Sequence, residues 1–227
     1  MKPLIITIDG PAGAGKTTIS RMLARRLGFQ YIDTGALYRG VAHAVKAAGI
    51  DSDDDEKLRD LCRSLKLQLM TTEDGLRVLS NGADITGNIR TPEITMLASA
   101  ISARPVIRTY LLELQRDLGR EKNIVIEGRD MGTVVFPDAG VKFFLYAATD
   151  IRARRRYEEL KNTSDVSYET VKADLVKRDE NDSTRTLAPL KPAADAVRVD
   201  STGLSVDGVV DEMMAVIRKK QNLQPQP

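Results

Sequence analysis

An α/β fold, with a parallel sheet covered by helices on both faces and a small antiparallel β insertion, is what this 227-residue sequence predicts. Three observations carry that prediction. Short apolar, β-branched runs recur at wide intervals, separated by stretches with helical spacing, which is the pattern of parallel strands joined by crossover helices. A glycine-rich turn joins the first such run to the first helical stretch. In the middle of the chain, closely spaced strand-like pieces are punctuated by Asp-Gly and Asn-Gly pairs, which favour hairpins.

Taken in order, residues 4–8 form a short apolar run that reads as a buried strand and breaks at Asp9-Gly10. Ile19, Met22, Leu23 and Leu27 then share one helical face, and Gly28 stands where a helix C-cap is expected. Residues 29–32 read as a second strand. The apolar pattern returns at 123–127 and at 141–146, the latter followed by an expected N-cap at Thr149 or Asp150. Residues 196–200 make a weaker strand. After Ser205, the residues Val206, Val209, Val210, Met213 and Ile217 share a helical face. The insertion consists of pieces at 65–70, 76–80 and 84–86, with Glu73-Asp74-Gly75 and Asn81-Gly82 as its turns. The acidic run at 51–56 reads as a solvated helix start, because carboxylates favour that end of the helix dipole. The polar, proline-rich tail at 221–227 reads as frayed.

Composition narrows the function classes. Hydrophobic residues at 42% and charged residues at 29% argue for a globular chain and against disorder. The 34 basic and 32 acidic residues leave a net charge of +2, so nucleic acid and anionic membrane are not expected partners, and any anion site must be local. No apolar stretch approaches the ~20 residues needed to span a bilayer. The N-terminal apolar run is short and lacks a small-residue cleavage site. Cys62 is the sole cysteine, so no intrachain disulfide exists, and a cytoplasmic location is expected. One histidine and one cysteine disfavour a structural zinc site. His43, in an Ala/Val-rich stretch, reads as a packing residue, and so does Cys62, beside Leu58, Leu61 and Leu65.

The strongest local signal is Gly10-Pro11-Ala12-Gly13-Ala14-Gly15-Lys16-Thr17, which matches the P-loop pattern and follows a strand while opening a helix. A triphosphate needs many donors at close range. Glycines let backbone N–H groups turn inward with no Cβ in the way, and the helix N-terminus favours an anion. Lys16 adds a compact positive charge, the Thr17 hydroxyl can ligate Mg²⁺, and Thr18 can reach a phosphate oxygen. A P-loop alone fits a GTPase, a motor ATPase or a kinase. The absence of an Asn-Lys-x-Asp tetrapeptide argues against the first, and the absence of a large second domain argues against the second.

Two further segments lie beyond expected strand ends, where open α/β sheets place ligands: Asp33-Thr34-Gly35-Ala36-Leu37-Tyr38-Arg39, and the stretch 127–137 that begins Glu127-Gly128-Arg129-Asp130-Met131-Gly132. These motifs, with Ile89-Arg90-Thr91 and Ala188-Pro189-Leu190, resemble the bacterial cytidylate kinases, nucleoside monophosphate kinases of the P-loop class, over nearly the whole chain. The resemblance implies a single P-loop kinase domain. Its core spans about 1–39, 88–150 and 167–220, a monophosphate-binding insertion about 40–87, and a helical, arginine-bearing lid about 151–166. It implies ATP as co-substrate with Mg²⁺, CMP or dCMP as acceptor, and a monomer.

Residue roles follow from the same resemblance. Arg39, Arg129 and Arg185 are expected to grip the acceptor phosphate, and planar guanidinium forks do suit phosphate oxygens. Ser99, Arg108 and Asp130 are implied to read the cytosine edge, Arg178 and Asp182 to hold the sugar hydroxyls, and Thr34 and Tyr38 to line the pocket. Lys16, Arg129, Arg155 and Arg185 are the implied catalytic residues, with Thr17 on the metal. Departures remain: Thr17 stands where such kinases often have Gly followed by Thr, which leaves Thr17 and Thr18 both open as the main metal and phosphate contact. Glu127 is open between orienting the metal through water and facing solvent. The Arg152, Arg154, Arg155 and Arg156 run is open between a lid, a solvated helix face and a nucleic-acid patch. Arg178 and Asp182, at i and i+4, read on their residues alone more simply as a surface ion pair. The phosphate nucleophile is already ionised, so no general base is required. Catalysis then rests on positioning and charge neutralisation.

Overall fold

In the computed structural model the described residues are 3–72, 75–161 and 165–222. The centre is a five-stranded parallel sheet built from β1 (Ile5–Asp9), β2 (Gln30–Asp33), β6 (Ile124–Gly128), β7 (Val141–Tyr146) and β8 (Val197–Asp200), in the order β2-β6-β1-β7-β8. Ile6 pairs with Val125 on one side and Val141 on the other, so β1 is fully flanked. Its continuous apolar run is the signature of a strand covered on both faces. The sequence places all five strands within a residue or so of where they stand.

Helices α1 (Lys16–Leu27) and α8 (Val206–Asn222) cover one face. Ile19 and Leu23 pack there with Ile6, Ile8, Phe143, Val209, Val210, Met213 and Ile217. Gly28 ends α1 in the left-handed region (φ 68°) and returns its N–H to Arg25 O. Val206, expected on this buried face, is instead 38% exposed. It is the first helical residue, where the turn has not yet closed onto the sheet. The tail at 223–227 lies outside the described residues, and α8 continues helical through Asn222, inside the stretch read as frayed.

The other layer holds α2 (Thr34–Ala47), α3 (Asp55–Ser64), α4 (Pro92–Ile101) and α5 (Pro105–Leu118), with the antiparallel sheet β3 (Leu67–Thr72), β4 (Gly75–Ser80) and β5 (Ala83–Asp84). Leu37, Val41, Leu58, Cys62, Leu67, Val78, Ile101, Ile107 and Leu111 form its core, as the packing reading of Cys62 expects, whereas His43 is only half-buried. Asn81 (φ 49°) and Gly82 (φ 86°) make the two-residue turn between β4 and β5, both in the left-handed region that this hairpin type demands. Of the other expected turn, Glu73 and Asp74 lie outside the described residues. The third piece pairs at 83–84 rather than 84–86, because Thr86 turns back to Asp84 Oδ1 through its N–H.

Helices α4 and α5 were not anticipated, although signals exist. Thr91 caps α4 through Ile94 N–H with Pro92 following, and Pro105 opens α5. The acidic run does start a helix: Asp54 caps α3, and Asp55 and Glu56 sit in its first turn. It is more than a solvated face, since Arg104 Nε donates to Asp55 Oδ1 (2.9 Å) and its Nη2 to Asp53 O (3.0 Å), joining α3 to the start of α5. A single π-helical turn, Met131–Val135, follows β6. Beyond β7, α6 (Thr149–Leu160) and α7 (Tyr168–Thr184) complete the chain. The cap of α6 is Ala148 rather than Thr149 or Asp150; Thr149 is already helical, and its hydroxyl accepts from Arg152. Ser167 caps α7 by accepting from Thr170 N–H (3.1 Å).

Candidate active site

The carboxyl ends of β1, β2 and β6 open into one cleft of about 940 Å³. Its floor is the P-loop. Gly10 must lack a side chain because a Cβ there would meet Leu145 O of β7 at 1.9 Å. Gly13 (φ 72°) has Arg152 Cβ and O at 3.0 Å from where its Cβ would stand. Lys16 opens α1 and is buried; its Nζ donates to Pro11 O (2.7 Å). Burial, reinforced by the charge on Arg129, lowers its ammonium to about 7. Ala12 to Thr18 line the cleft, whereas Gly10 and Pro11 stand beneath it as support.

Three buried carboxylates end the strands around this floor. Asp33 caps α2 through Ala36 N–H and pairs with Arg39 Nη2 (2.9 Å). Burial works against its charge, but Arg39 holds Asp33 below the usual carboxylate range. Glu127 is 4% exposed, which removes the solvent-facing reading. Burial raises its carboxyl, the charge on Asp33 adds to that, and Lys16 opposes both. The Tyr31 hydroxyl donates to it, and its own carbonyl accepts from Thr34 Oγ1 (2.7 Å). Asp9, missed as a site-forming residue, accepts from Met131 N–H and Gly132 N–H, both at 2.8 Å, and so pins the π-helical turn to the strand that feeds the P-loop. Burial pushes its carboxyl up to about 6 against those two hydrogen bonds. The readable signal was an Asp directly before the first P-loop glycine.

Across the cleft, guanidiniums converge from four segments: Arg39 of α2, Arg129 after β6, Arg178 of α7 and Arg185 at its end. Arg129 Nε donates to Asp182 Oδ2 at 2.7 Å. Arg185 Nη1 donates to Ser102 Oγ at 2.9 Å and lies 3.7 Å from Asp130 through Nη2. Arg39 Nε, Arg178 Nε and Arg185 Nη2 are buried with no hydrogen-bond partner among the described residues. Burial and the neighbouring Arg129 lower Arg178 to about 10, which still leaves it charged near neutrality. Asp182 is held below the usual range, against burial, by Arg129 and Arg178. Ser99 Oγ is likewise buried and unpartnered on the cleft wall. Asp130 is buried, and Arg108 ion-pairs with it from behind. Burial raises its carboxyl against the pull of Arg108.

The structure therefore gathers Lys16, Thr17, Thr18, Thr34, Tyr38, Arg39, Ser99, Arg129, Asp130, Arg155, Arg178, Asp182 and Arg185 on one cleft. It leaves Arg108 behind the wall, where it pairs with Asp130 and donates from Nη1 to Ser102 O (3.2 Å), both of which line the cleft. Arg178 and Asp182 face the cleft rather than forming a surface ion pair. The cleft wall opposite the P-loop includes α2 and α4, while no described residue of 40–87 lines it. Arg152, read with the basic run, is buried and bonded inward; Arg154, Arg155 and Arg156 do line the cleft. Arg155 is held by Ser201 Oγ (3.1 Å) and Ser201 O (2.7 Å). Of the expected lid segment, 162–164 lie outside the described residues. Ser102 was not anticipated; only folding shows that α4 ends beside Arg185.

A strand ending in a P-loop, a buried lysine on it and half-satisfied arginines facing it define a P-loop kinase. The fold agrees: a gluconokinase structure from Sinorhizobium meliloti superposes with a TM-score of 0.51 at 15% identity, covering 97% of this chain and 95% of that one. The cytidylate kinase family profile matches residues 6–219. The cytidylate kinase of Geobacter sulfurreducens is 52% identical over 223 residues, 98% of this chain and 96% of that protein. That of Bacillus subtilis is 42% identical over 220 residues, with 96% and 98% covered. The chain belongs to the cytidylate kinase family.

Proposed function

We propose that the protein transfers the γ-phosphoryl of ATP to the 5′-phosphate of CMP or dCMP, giving ADP and CDP or dCDP. The observation that carries this reading is the set of buried, unpartnered N–H groups on Arg39, Arg178 and Arg185 opposite the P-loop. Unsatisfied buried donors are costly, and a dianionic phosphate there satisfies several at once. Ser99 and Asp130, beside them on the wall, offer a hydroxyl and an acceptor carboxylate, complementary to a cytosine edge.

The donor set fits Mg²⁺ held mainly by nucleotide phosphates and water. Among the described residues no cluster of three His, Cys, Asp or Glu could hold a metal, while the Thr17 hydroxyl and the buried Glu127 carboxylate share the cleft wall. Thr17 would hold the ion, Glu127 would orient its water, and the ion would neutralise phosphate charge. The chain's own part is positional. The P-loop N–H groups and Lys16 bind the donor polyphosphate, and Arg129 and Arg185 set the acceptor phosphate in line with it. Arg155, fixed by Ser201, adds positive charge over the transferring group. Helix α6 covers the cleft against water, which would otherwise compete as acceptor. No residue needs to remove a proton from a phosphate that is already ionised.

The cytoplasm supplies both nucleotides and is the compartment we propose, with the protein as a monomer. No described helix is long and apolar enough to cross a membrane. The test is ADP release over an acceptor panel of CMP, dCMP, UMP, AMP and GMP. CMP and dCMP are expected to lead in kcat/KM. A lead by another monophosphate overturns the acceptor assignment, and no acceptor-dependent release overturns the kinase reading.

A further inference from the structure

Both main-chain polar groups of Ala12 are engaged from outside the cleft. Its N–H donates to Asp179 Oδ1 (3.2 Å) and its carbonyl accepts from Arg152 Nη1 (3.0 Å). Arg152 and Asp179 also pair with each other, and neither lines the cleft. Arg152 also donates from Nε to Ala147 O (2.9 Å) and from Nη2 to Thr149 Oγ1 (3.0 Å). The Arg152 side chain is 7% exposed, so the pair is shielded from solvent. Next to it, the absent side chain of Gly13 lets Arg152 and Leu175 approach the loop. The lock turns the Ala12 carbonyl dipole away from the place of the donor anion.

The same turn of α7 reaches the other half of the site. Arg178 precedes Asp179 and lines the cleft. Asp182, three residues on, accepts from Arg129 and lies 3.9 Å from Arg185 Nη1. A single helical turn thus ties the donor loop to the acceptor arginines. We propose, resting on the kinase reading above, that Arg152 and Asp179 are positioning residues that set the P-loop for the donor, and that α7 transmits donor occupancy to the acceptor subsite. A movement of Asp179 with Ala12 carries Asp182, and with it the partner of Arg129. Coupling of this kind is reciprocal: each ligand must tighten the other by the same factor.

The experiment is calorimetric titration of CMP into the full chain, with and without saturating β,γ-imido-ATP and Mg²⁺, repeated for Asp179→Ala, Asp179→Asn, Arg152→Met and Arg152→Lys. The parent is expected to bind CMP roughly tenfold more tightly when the donor analogue is present, within the usual range of such couplings. Asp179→Ala and Arg152→Met are expected to bring that factor to about 1 and to raise the ATP KM roughly tenfold, leaving CMP affinity without donor unchanged within about twofold. Arg152→Lys is expected to restore part of the coupling. Thermal melts establish that each variant is folded. Asp179→Asn, which keeps the shape and an acceptor for Ala12 N–H, is read where the alanine variant is not. Folded variants that keep parental coupling and ATP KM, or a parent with no coupling, overturn the proposal. A parent that phosphorylates no pyrimidine monophosphate overturns the functional reading instead.

Discussion

Arg129 donates from Nε to Asp182 Oδ2 at 2.7 Å, and both side chains are largely buried, at 17% and 5% exposure. A residue proposed to grip phosphate is thus held by a residue proposed to hold sugar. Asp182 is also the carboxylate nearest Arg178 in charge effect and lies within 4 Å of Arg185. Removing it takes away the carboxylate that Arg129 bonds and that offsets the charge on Arg178, and leaves Arg185 with Asp130 alone. Asp182→Ala is expected to cost roughly 3 kcal/mol of stability, read by urea unfolding, because breaking a buried pair strands the remaining charge. Saturating CMP is expected to recover part of the loss by supplying a phosphate. An unchanged unfolding midpoint is the contrary result.

Lys16 carries the sharpest electrostatic prediction. With its ammonium lowered to about 7 by burial, the side chain is mostly neutral at pH 8. Bound polyphosphate favours the charged form, so donor binding at pH 8 is expected to take up close to one proton there and almost none at pH 6. Calorimetry of β,γ-imido-ATP binding in buffers of different ionisation enthalpy measures this directly. Lys16→Ala is expected to abolish the uptake and to lose ~3 kcal/mol of transition-state stabilisation, a rate loss of roughly a hundredfold or more.

The raised carboxyl of Asp9 makes stability depend on pH. Its native value of about 6 lies above its ordinary 3.8, so the folded state binds the proton more tightly than the unfolded chain does. The favourable contribution is therefore complete below pH 4 and lost as the pH rises through 6. A shift of this size amounts to ~3 kcal/mol as an upper figure. Relative to Asp9→Asn, the parent is expected to lose stability steadily between pH 4 and pH 7. A constant difference between the two melting curves across that range is the contrary result.

Asp130 and Arg108 divide one task between a cleft-facing group and its support. Asp130→Ala is expected to reduce the CMP-over-UMP preference in kcat/KM roughly tenfold or more, the worth of one good base contact, with the ATP KM little changed. Arg108→Met is expected to shift the preference in the same direction from behind the wall, because Asp130 then loses its ion pair and its carboxyl rises further. Equal discrimination in both variants and parent refutes the assignment.

Sequence alone determined the five parallel strands, the P-loop and the arginine-bearing loops at strand ends. These are local facts: an apolar β-branched run, a glycine where backbone must approach a neighbour, a hydroxyl before a helix. It did not show α4 or α5, whose start signals at Thr91-Pro92 and Pro105 lie in a polar-flanked stretch. It also gave Arg152 the same standing as Arg154 to Arg156, since four arginines in five residues look alike in one dimension. Helical geometry separates them. Arg152 turns inward beneath the P-loop, and Arg155 turns across to Ser201. Tertiary structure alone decided that Arg108 stands behind Asp130 rather than on the wall, and that Asp9 reaches a turn 122 residues away. The physical reason is that pairings between distant residues depend on strand order and helix rotation, which composition and spacing along the chain do not encode.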